Sequence, residues 1–176
     1  MPHNSPVSNG PAAWVQKHVP LIPKTGQVLD LACGNGRHTR FLLEEGHTVL
    51  AIDKNITGLS DISGQENLET MTADLEDGSA FPLQGREFSG IVIVNYLHRP
   101  LFEDLIDVLA EGGVLIYQTF MRGNEAHGRP RNPDFLLKEN ELKNVFGSRL
   151  KVLAFEQGYE EHPSPAIVQK ICAVKV

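Results

Sequence analysis

The sequence predicts an α/β protein: a doubly wound, mostly parallel sheet of about seven strands with an antiparallel C-terminal hairpin. Three observations carry this. Apolar strand-like segments alternate with segments of helical periodicity, the pattern of a parallel sheet covered on both faces. Two of the strand segments, Ile91-Val92-Ile93-Val94 and Val114-Leu115-Ile116-Tyr117, are continuous apolar runs, as expected of strands buried on both sides. The last two strand segments have no helix between them, so they should pair antiparallel.

Residues 1–10 are polar and rich in Pro, Asn and Ser, and read as a loose arm on a single domain spanning 1–176. Residues 12–18 form a short helical candidate closed by Pro20 and Pro23. Gln27 to Ala32 is apolar and bounded by Gly26 and Gly34, which marks the first strand. Residues 37–45 hold Phe41, Leu42 and Leu43 and end at Gly46, the usual residue for a left-handed helix terminus. Residues 48–53 are the second strand and residues 68–71 a weaker third. After the 91–94 strand, Leu101, Leu105 and Leu109 share one helical stripe with Phe102 and Ile106 beside it, and Gly112-Gly113 stops it. A strand over 114–117 and a helix over 141–146 follow. Closing strands over 150–155 and 167–176 flank a loop with Pro163 and Pro165.

A chain of 176 residues can bury a core without covalent staples, and 41% hydrophobic with 22% charged residues is ordinary for a globular protein. No apolar run approaches the roughly 18 residues of a membrane span, and Met1 to Pro6 lacks the character of a leader. Cys33 and Cys172 are far apart and without metal-ligand spacing, so a reduced, cytoplasmic setting and no metal site are expected. A formal charge of −6 argues against a nucleic-acid partner.

In an open α/β sheet the functional residues follow the strands. The first strand runs into Asp30-Leu31-Ala32-Cys33-Gly34-Asn35-Gly36, whose glycines permit positive φ and let a ligand reach bare backbone. Asp53 ends the second strand, placed to accept hydrogen bonds from a ribose diol. A dinucleotide fingerprint needs a third small residue after Gly34 and Gly36, where this sequence has Thr39. That fingerprint also gives Asp30 no role, whereas a carboxylate there suits a ligand bearing an ammonium group.

The segment Asp30-x-Ala32-x-Gly34-x-Gly36 resembles the S-adenosylmethionine-binding loop of the class I methyltransferases, over about Pro20 to Val176. The small size and short leading arm are similar to the tellurite-resistance-type members. The resemblance implies methyl transfer from S-adenosylmethionine. It implies that Asp30 and the backbone of Ala32, Gly34 and Gly36 hold the methionine moiety. Asp53, with Lys54 beside it, takes the ribose. Asp74 and Leu75 meet the adenine, and Asn95 lies near the methionine end. Ala32 stands where many members have glycine, and its methyl is tolerated only if φ there is negative. Cys33 reads as a packing residue, with no base near it in sequence.

Methyl transfer from a sulfonium is an in-line displacement, so positioning and exclusion of water supply much of the acceleration. A base is required only for a protonated acceptor. His98 reads either as that base or as a hydrogen-bonded structural histidine. Tyr96 reads either as a wall of the acceptor pocket or as cover for the sheet. The long loop over 121–133 carries Arg122, Arg129 and Arg131. It reads either as a solvated connection or as a partly ordered lid for an anionic small-molecule acceptor. Two other functions compete: a nucleotide-binding oxidoreductase, and a non-catalytic S-adenosylmethionine-binding partner protein.

Overall fold

The computed structural model describes residues 10–176; apart from Gly10, the expected polar arm lies outside them. Seven strands form one sheet: β1 Gln27–Leu31, β2 Thr48–Asp53, β3 Leu68–Thr72, β4 Phe88–Val94, β5 Leu109–Phe120, β6 Lys151–Glu160 and β7 Ala166–Val174. Their order is β3-β2-β1-β4-β5-β7-β6. β1 to β5 pair in parallel, and β7 runs antiparallel to both β5 and β6. The chain winds outward from β1 to β3, then returns to lay β4 on the other side of β1. The order therefore reverses between β1 and β4, and the crevice beyond their carboxyl ends is where such sheets take ligands.

Side chains alternate between the two sheet faces, and both faces are dry. Leu29, Leu31, Ile91, Ile93, Leu115 and Tyr117 join one core. It is covered by α3 Phe102–Val108 and α4 Glu141–Phe146. Val28, Val92, Val114 and Ile116 join the other, under α1 Ala13–His18 and α2 Arg37–Glu44. Each fully buried aliphatic side chain here contributes about 1.5–3 kcal/mol. Phe102, Tyr117 and Phe146 pack edge-on with centroids 5.3–6.4 Å apart. The Tyr117 hydroxyl also donates to the Tyr96 carbonyl at 2.8 Å, so the core fixes the loop that leaves β4.

Two features differ from the sequence reading. Helices do not follow β2 or β3: a 3-10 turn at Thr57–Leu59 and then turns connect β2 to β3, and turns alone lead on to β4. Gly58, Gly64, Gly78, Pro82 and Gly85 make both stretches poor helix formers. Leu109 is not on the helical stripe. It is buried at the start of β5, paired with Phe88, and Gly112-Gly113 form a register shift inside that strand. A side chain at Gly113 would meet the Ala110 and Phe88 carbonyls at 2.7 and 3.0 Å. The pair therefore bends a strand and does not end a helix.

Candidate active site

Asp30 lies between Leu29 and Leu31, so its side chain points to the α2 face of the sheet, where it is 2% exposed. Its Oδ2 accepts a 2.6 Å hydrogen bond from the hydroxyl of Thr39 on α2. Burial pushes the carboxyl up to about 7, against the hydrogen bonds from Thr39 and the charge of Arg37. Thr39, fully buried, thus occupies the third-glycine position as the partner of Asp30. In the sequence Thr39 serves only to exclude a dinucleotide fingerprint; the signal for this role is the strand–loop–helix turn that brings the two together.

The loop from β1 to α2 leaves its backbone bare. Gly34 has φ +53°, and open space lies where a Cβ would stand. Gly36 has φ +83°, and a Cβ there would lie 2.1 Å from Leu59. Ala32 corrects the sequence expectation: its φ is +55°, not negative. An L residue in that left-handed region carries about 1–2 kcal/mol of strain, held here because the Cys33 amide donates to the Ile52 carbonyl at 3.0 Å. Cys33 is buried and its thiol is pushed up to about 12, chiefly by desolvation, which leaves it no nucleophile at neutral pH.

Asp53, half-buried at the end of β2, binds that loop directly. Its Oδ2 accepts from the Gly34 amide at 2.9 Å and its Oδ1 from the Asn55 amide at 3.0 Å. Each oxygen retains a lone pair for a further donor, so the carboxylate suits a ribose diol. Lys54 beside it is exposed. After β3, Asp74 is exposed and accepts from the Glu76 amide at 2.9 Å, while Leu75 packs on the main core. Asn95 follows β4 with φ +58°, a conformation asparagine tolerates. Its amide donates to the Gln118 carbonyl at 2.9 Å. Strand ends thus bring Asp30, Gly34, Asp53, Asp74 and Asn95 to one edge of the sheet. A bare loop, a carboxylate with spare lone pairs and a buried carboxylate fit an adenosyl amino acid.

Two cavities meet at Asn95 and Phe120. One, ≈ 320 Å³, is walled by α1, Arg37 and the β6–β7 turn. The other, ≈ 240 Å³, is lined by Glu76, Tyr96, Leu97, Thr119, Pro130 and Phe135. Tyr96 therefore does reach a cavity. Burial, then the neighbouring Glu76, Asp74 and Asp53, raises its phenol above the ordinary range, so at neutral pH it is a hydrogen-bond donor. His98 lines neither cavity; its Nδ1 lies 3.5 Å from Glu76 Oε1.

The three arginines are not brought together at these cavities. Arg122 lines a separate open cleft with Lys138 and Glu139, while Arg129 and Arg131 are exposed on either side of Pro130. The expected loose lid is pinned. Asn124, 1% exposed, accepts from the Ile167 amide at 3.0 Å and donates to the Arg129 carbonyl at 3.3 Å. Arg99 pairs with Glu141 and donates to the Asp134 and Leu136 carbonyls, each at 2.9 Å. Sequence reasoning gave Arg99 no role, because its partners lie 35–42 residues away.

The wall made by α1 also escaped the sequence. The Ala12 amide donates to His38 Nε2 at 3.0 Å, which requires a neutral imidazole, and burial holds His38 down at about 4. Arg37 donates to the Gly10 carbonyl at 3.1 Å, and Trp14 Nε1 to the Ile171 carbonyl at 3.1 Å. These bonds clamp the N-terminal segment onto α2 and β7, closing one side of the ≈ 320 Å³ cavity. Among the described residues, no cluster of three or more His, Cys, Asp or Glu side chains is placed to hold a metal ion. No described helix is long and apolar enough to cross a membrane.

The reversed strand β7 beside an otherwise parallel sheet, with the glycine loop at the β1/β4 switch point, defines a class I methyltransferase fold. The chain belongs to the family described as Tellurite resistance protein TehB, whose model matches residues 13–162. TehB from Haemophilus influenzae superposes with a TM-score of 0.73 at 21% identity, covering 93% of this chain; the chain spans 61% of that protein's length. A SAM-dependent methyltransferase from Methanosarcina mazei gives 0.70 at 15% identity, covering 95% and 99% of the two chains. The 1,6-didemethyltoxoflavin-N1-methyltransferase of Burkholderia thailandensis, solved with S-adenosylhomocysteine, gives 0.68 at 16% identity, covering 93% and 76%. Comparison with curated protein sequences gives no match.

Proposed function

We propose that this chain is a methyltransferase that uses S-adenosylmethionine and delivers its methyl group to a small acceptor seated beside Asn95. The observation that carries this reading is Asp30, a carboxylate buried at a ligand crevice and lifted to about 7 by its surroundings. An ammonium group beside it would restore its charge, and the methionine end of the cofactor carries one. Such a ligand distinguishes this reading from a nicotinamide enzyme, which has no use for that carboxylate.

S-adenosylmethionine supplies, when bound, a methyl group on a sulfonium centre. The residues of the chain bind, orient and exclude water. Asp30 and the bare loop at Gly34 take the methionine end, Asp53 with Lys54 the ribose, and Asp74 with Leu75 the adenine. Asn95, at the strand-end edge given to the cofactor, also borders both cavities, so the acceptor approaches from the cavity side. Tyr96, held protonated, donates a hydrogen bond into the smaller cavity. His98, poised against Glu76, is the nearest candidate to relay a proton from a protonated acceptor. The clamp of α1 onto α2 keeps water from the larger cavity, which favours transfer over hydrolysis. A cytoplasmic setting belongs to this reading, since Cys33 and Cys172 are both free and buried.

The test is incubation with methyl-labelled S-adenosylmethionine and a fractionated metabolite extract, with sodium tellurite as a separate arm because of the family's name. Label in an identified product supports the reading. Binding of the cofactor with no transfer to any fraction would instead favour a non-catalytic partner protein.

A further inference from the structure

β5 places Gln118 beside Val94 of β4 and opposite Lys170 of β7. It is 9% exposed, and it lines the ≈ 320 Å³ cavity that Asn95, Trp14 and Arg37 also border. Its main-chain carbonyl is occupied by the Asn95 amide, but its carboxamide makes no hydrogen bond among the described residues. The other buried glutamine of this sheet behaves differently. Gln169 accepts from the Leu142 amide at 2.6 Å and donates to the Lys138 carbonyl and Gln157 Oε1 at 3.0 and 2.9 Å. The polar atoms of Gln118 open onto the cavity, so a bound molecule can pair with them directly in place of solvent.

The charges around the cavity narrow what that molecule is. Lys170 Nζ lies 3.2 Å from both Glu156 and Glu160, so its charge is already met. Arg37, the first residue of α2, already donates to the Gly10 carbonyl at 3.1 Å and lies within electrostatic reach of Asp30. Of the other polar groups lining the cavity, Gln16, Asn95 and His162 are exposed and Ser164 is half-buried, which leaves the Gln118 carboxamide as the buried one, with one oxygen to accept and two hydrogens to donate.

We propose that Gln118 is the acceptor-specificity residue. It reads the edge of a small neutral acceptor that carries an adjacent N–H and C=O pair, as in a lactam or pyrimidine-type heterocycle. This rests on the methyl-transfer reading, which makes the cavity an acceptor site. A site built to hydrogen-bond such an edge discriminates strongly against molecules that lack it.

The test uses the full chain saturated with S-adenosylhomocysteine, with uracil as the lactam probe and benzoate as the anionic control, followed by ligand-observed NMR. Uracil is expected to bind and to lose at least tenfold in affinity in Gln118→Leu. Gln118→Met, similar in length and without strong hydrogen-bonding groups, provides a second variant should the first fold poorly. In both, S-adenosylhomocysteine affinity by calorimetry should stay within twofold of the parent. Uracil that fails to bind, or binds all three proteins equally, overturns the inference. So does benzoate that binds and is lost with Gln118. Failure of the parent protein to bind S-adenosylhomocysteine at all would sink the methyl-transfer reading itself, a separate outcome.

Discussion

Replacing Asp30 with asparagine keeps the shape of the side chain and an oxygen for the Thr39 hydroxyl, and removes only the capacity to ionise. In the ligand-free parent, the carboxyl is lifted from 3.8 to about 7, first by burial. The sign follows directly. Between these values the folded protein holds a proton that the unfolded chain has released, so stability falls as pH rises. The contribution is fully present below about 3.8 and lost as pH passes through about 7. Three units correspond to roughly 4 kcal/mol, at about 1.4 kcal/mol per unit. Denaturant unfolding at pH 5 and pH 8 spans about two of those units, so it should show a loss of roughly 3 kcal/mol in the parent and little of it in Asp30→Asn. Binding should run the other way. An α-amino group ordinarily titrates near 7.7–8.0, so S-adenosylhomocysteine stays cationic between pH 5.5 and 7 while Asp30 ionises. The affinity of the parent should rise on the order of tenfold across that interval. At pH 6, calorimetry in buffers of different ionisation enthalpy should register release of close to one proton on binding. Asp30→Asn should bind more weakly, without pH dependence and without proton release. Equal proton counts in parent and variant would refute the role given to Asp30.

Asp53→Ala should weaken S-adenosylhomocysteine binding by about 1–3 kcal/mol, through lost charge-assisted bonds to the ribose and a freed Gly34 amide; calorimetry with circular dichroism checks both affinity and fold. Ala32→Gly should raise the thermal midpoint by an amount equal to about 0.5–1 kcal/mol, the relief at φ +55° less the added chain entropy. A lower midpoint would mean that the Ala32 methyl makes packing contacts worth more than the strain. Alanine at Arg122, Arg129 and Arg131 together should leave both cofactor affinity and turnover at saturating acceptor within about twofold, since none of them lines the Asn95 cavities. A sharp fall in turnover would return the anionic-acceptor reading to first place.

The features legible in the sequence are those with local causes. Flanking glycines placed β1 and α2, and continuous apolar runs placed β4 and the body of β5. The order of acids after successive strands predicted that Asp30, Asp53 and Asp74 share one edge of the sheet, because in a parallel sheet sequence position after a strand is also spatial position. What the sequence hid depends on contacts between distant segments. Leu109 fits a helical stripe by spacing, yet its pairing with Phe88 decides its conformation. Ala32 takes a positive φ because the chain must turn between β1 and α2, whatever its own preference. Arg99 and Glu141, and Ala12 and His38, meet only once the sheet has formed. Gln118 reads as one more strand residue until its carboxamide, unpaired among the described residues, is compared with the fully paired Gln169.

The most direct test of the cofactor assignment is calorimetric titration of the purified chain with S-adenosylhomocysteine, NAD and NADP under identical conditions at pH 7. The Asp30 pocket, the bare Gly34 loop and the Asp53 carboxylate predict saturable 1:1 binding of S-adenosylhomocysteine and no heat from either nicotinamide dinucleotide. Saturable binding of NAD or NADP with none of S-adenosylhomocysteine would contradict the account at its root.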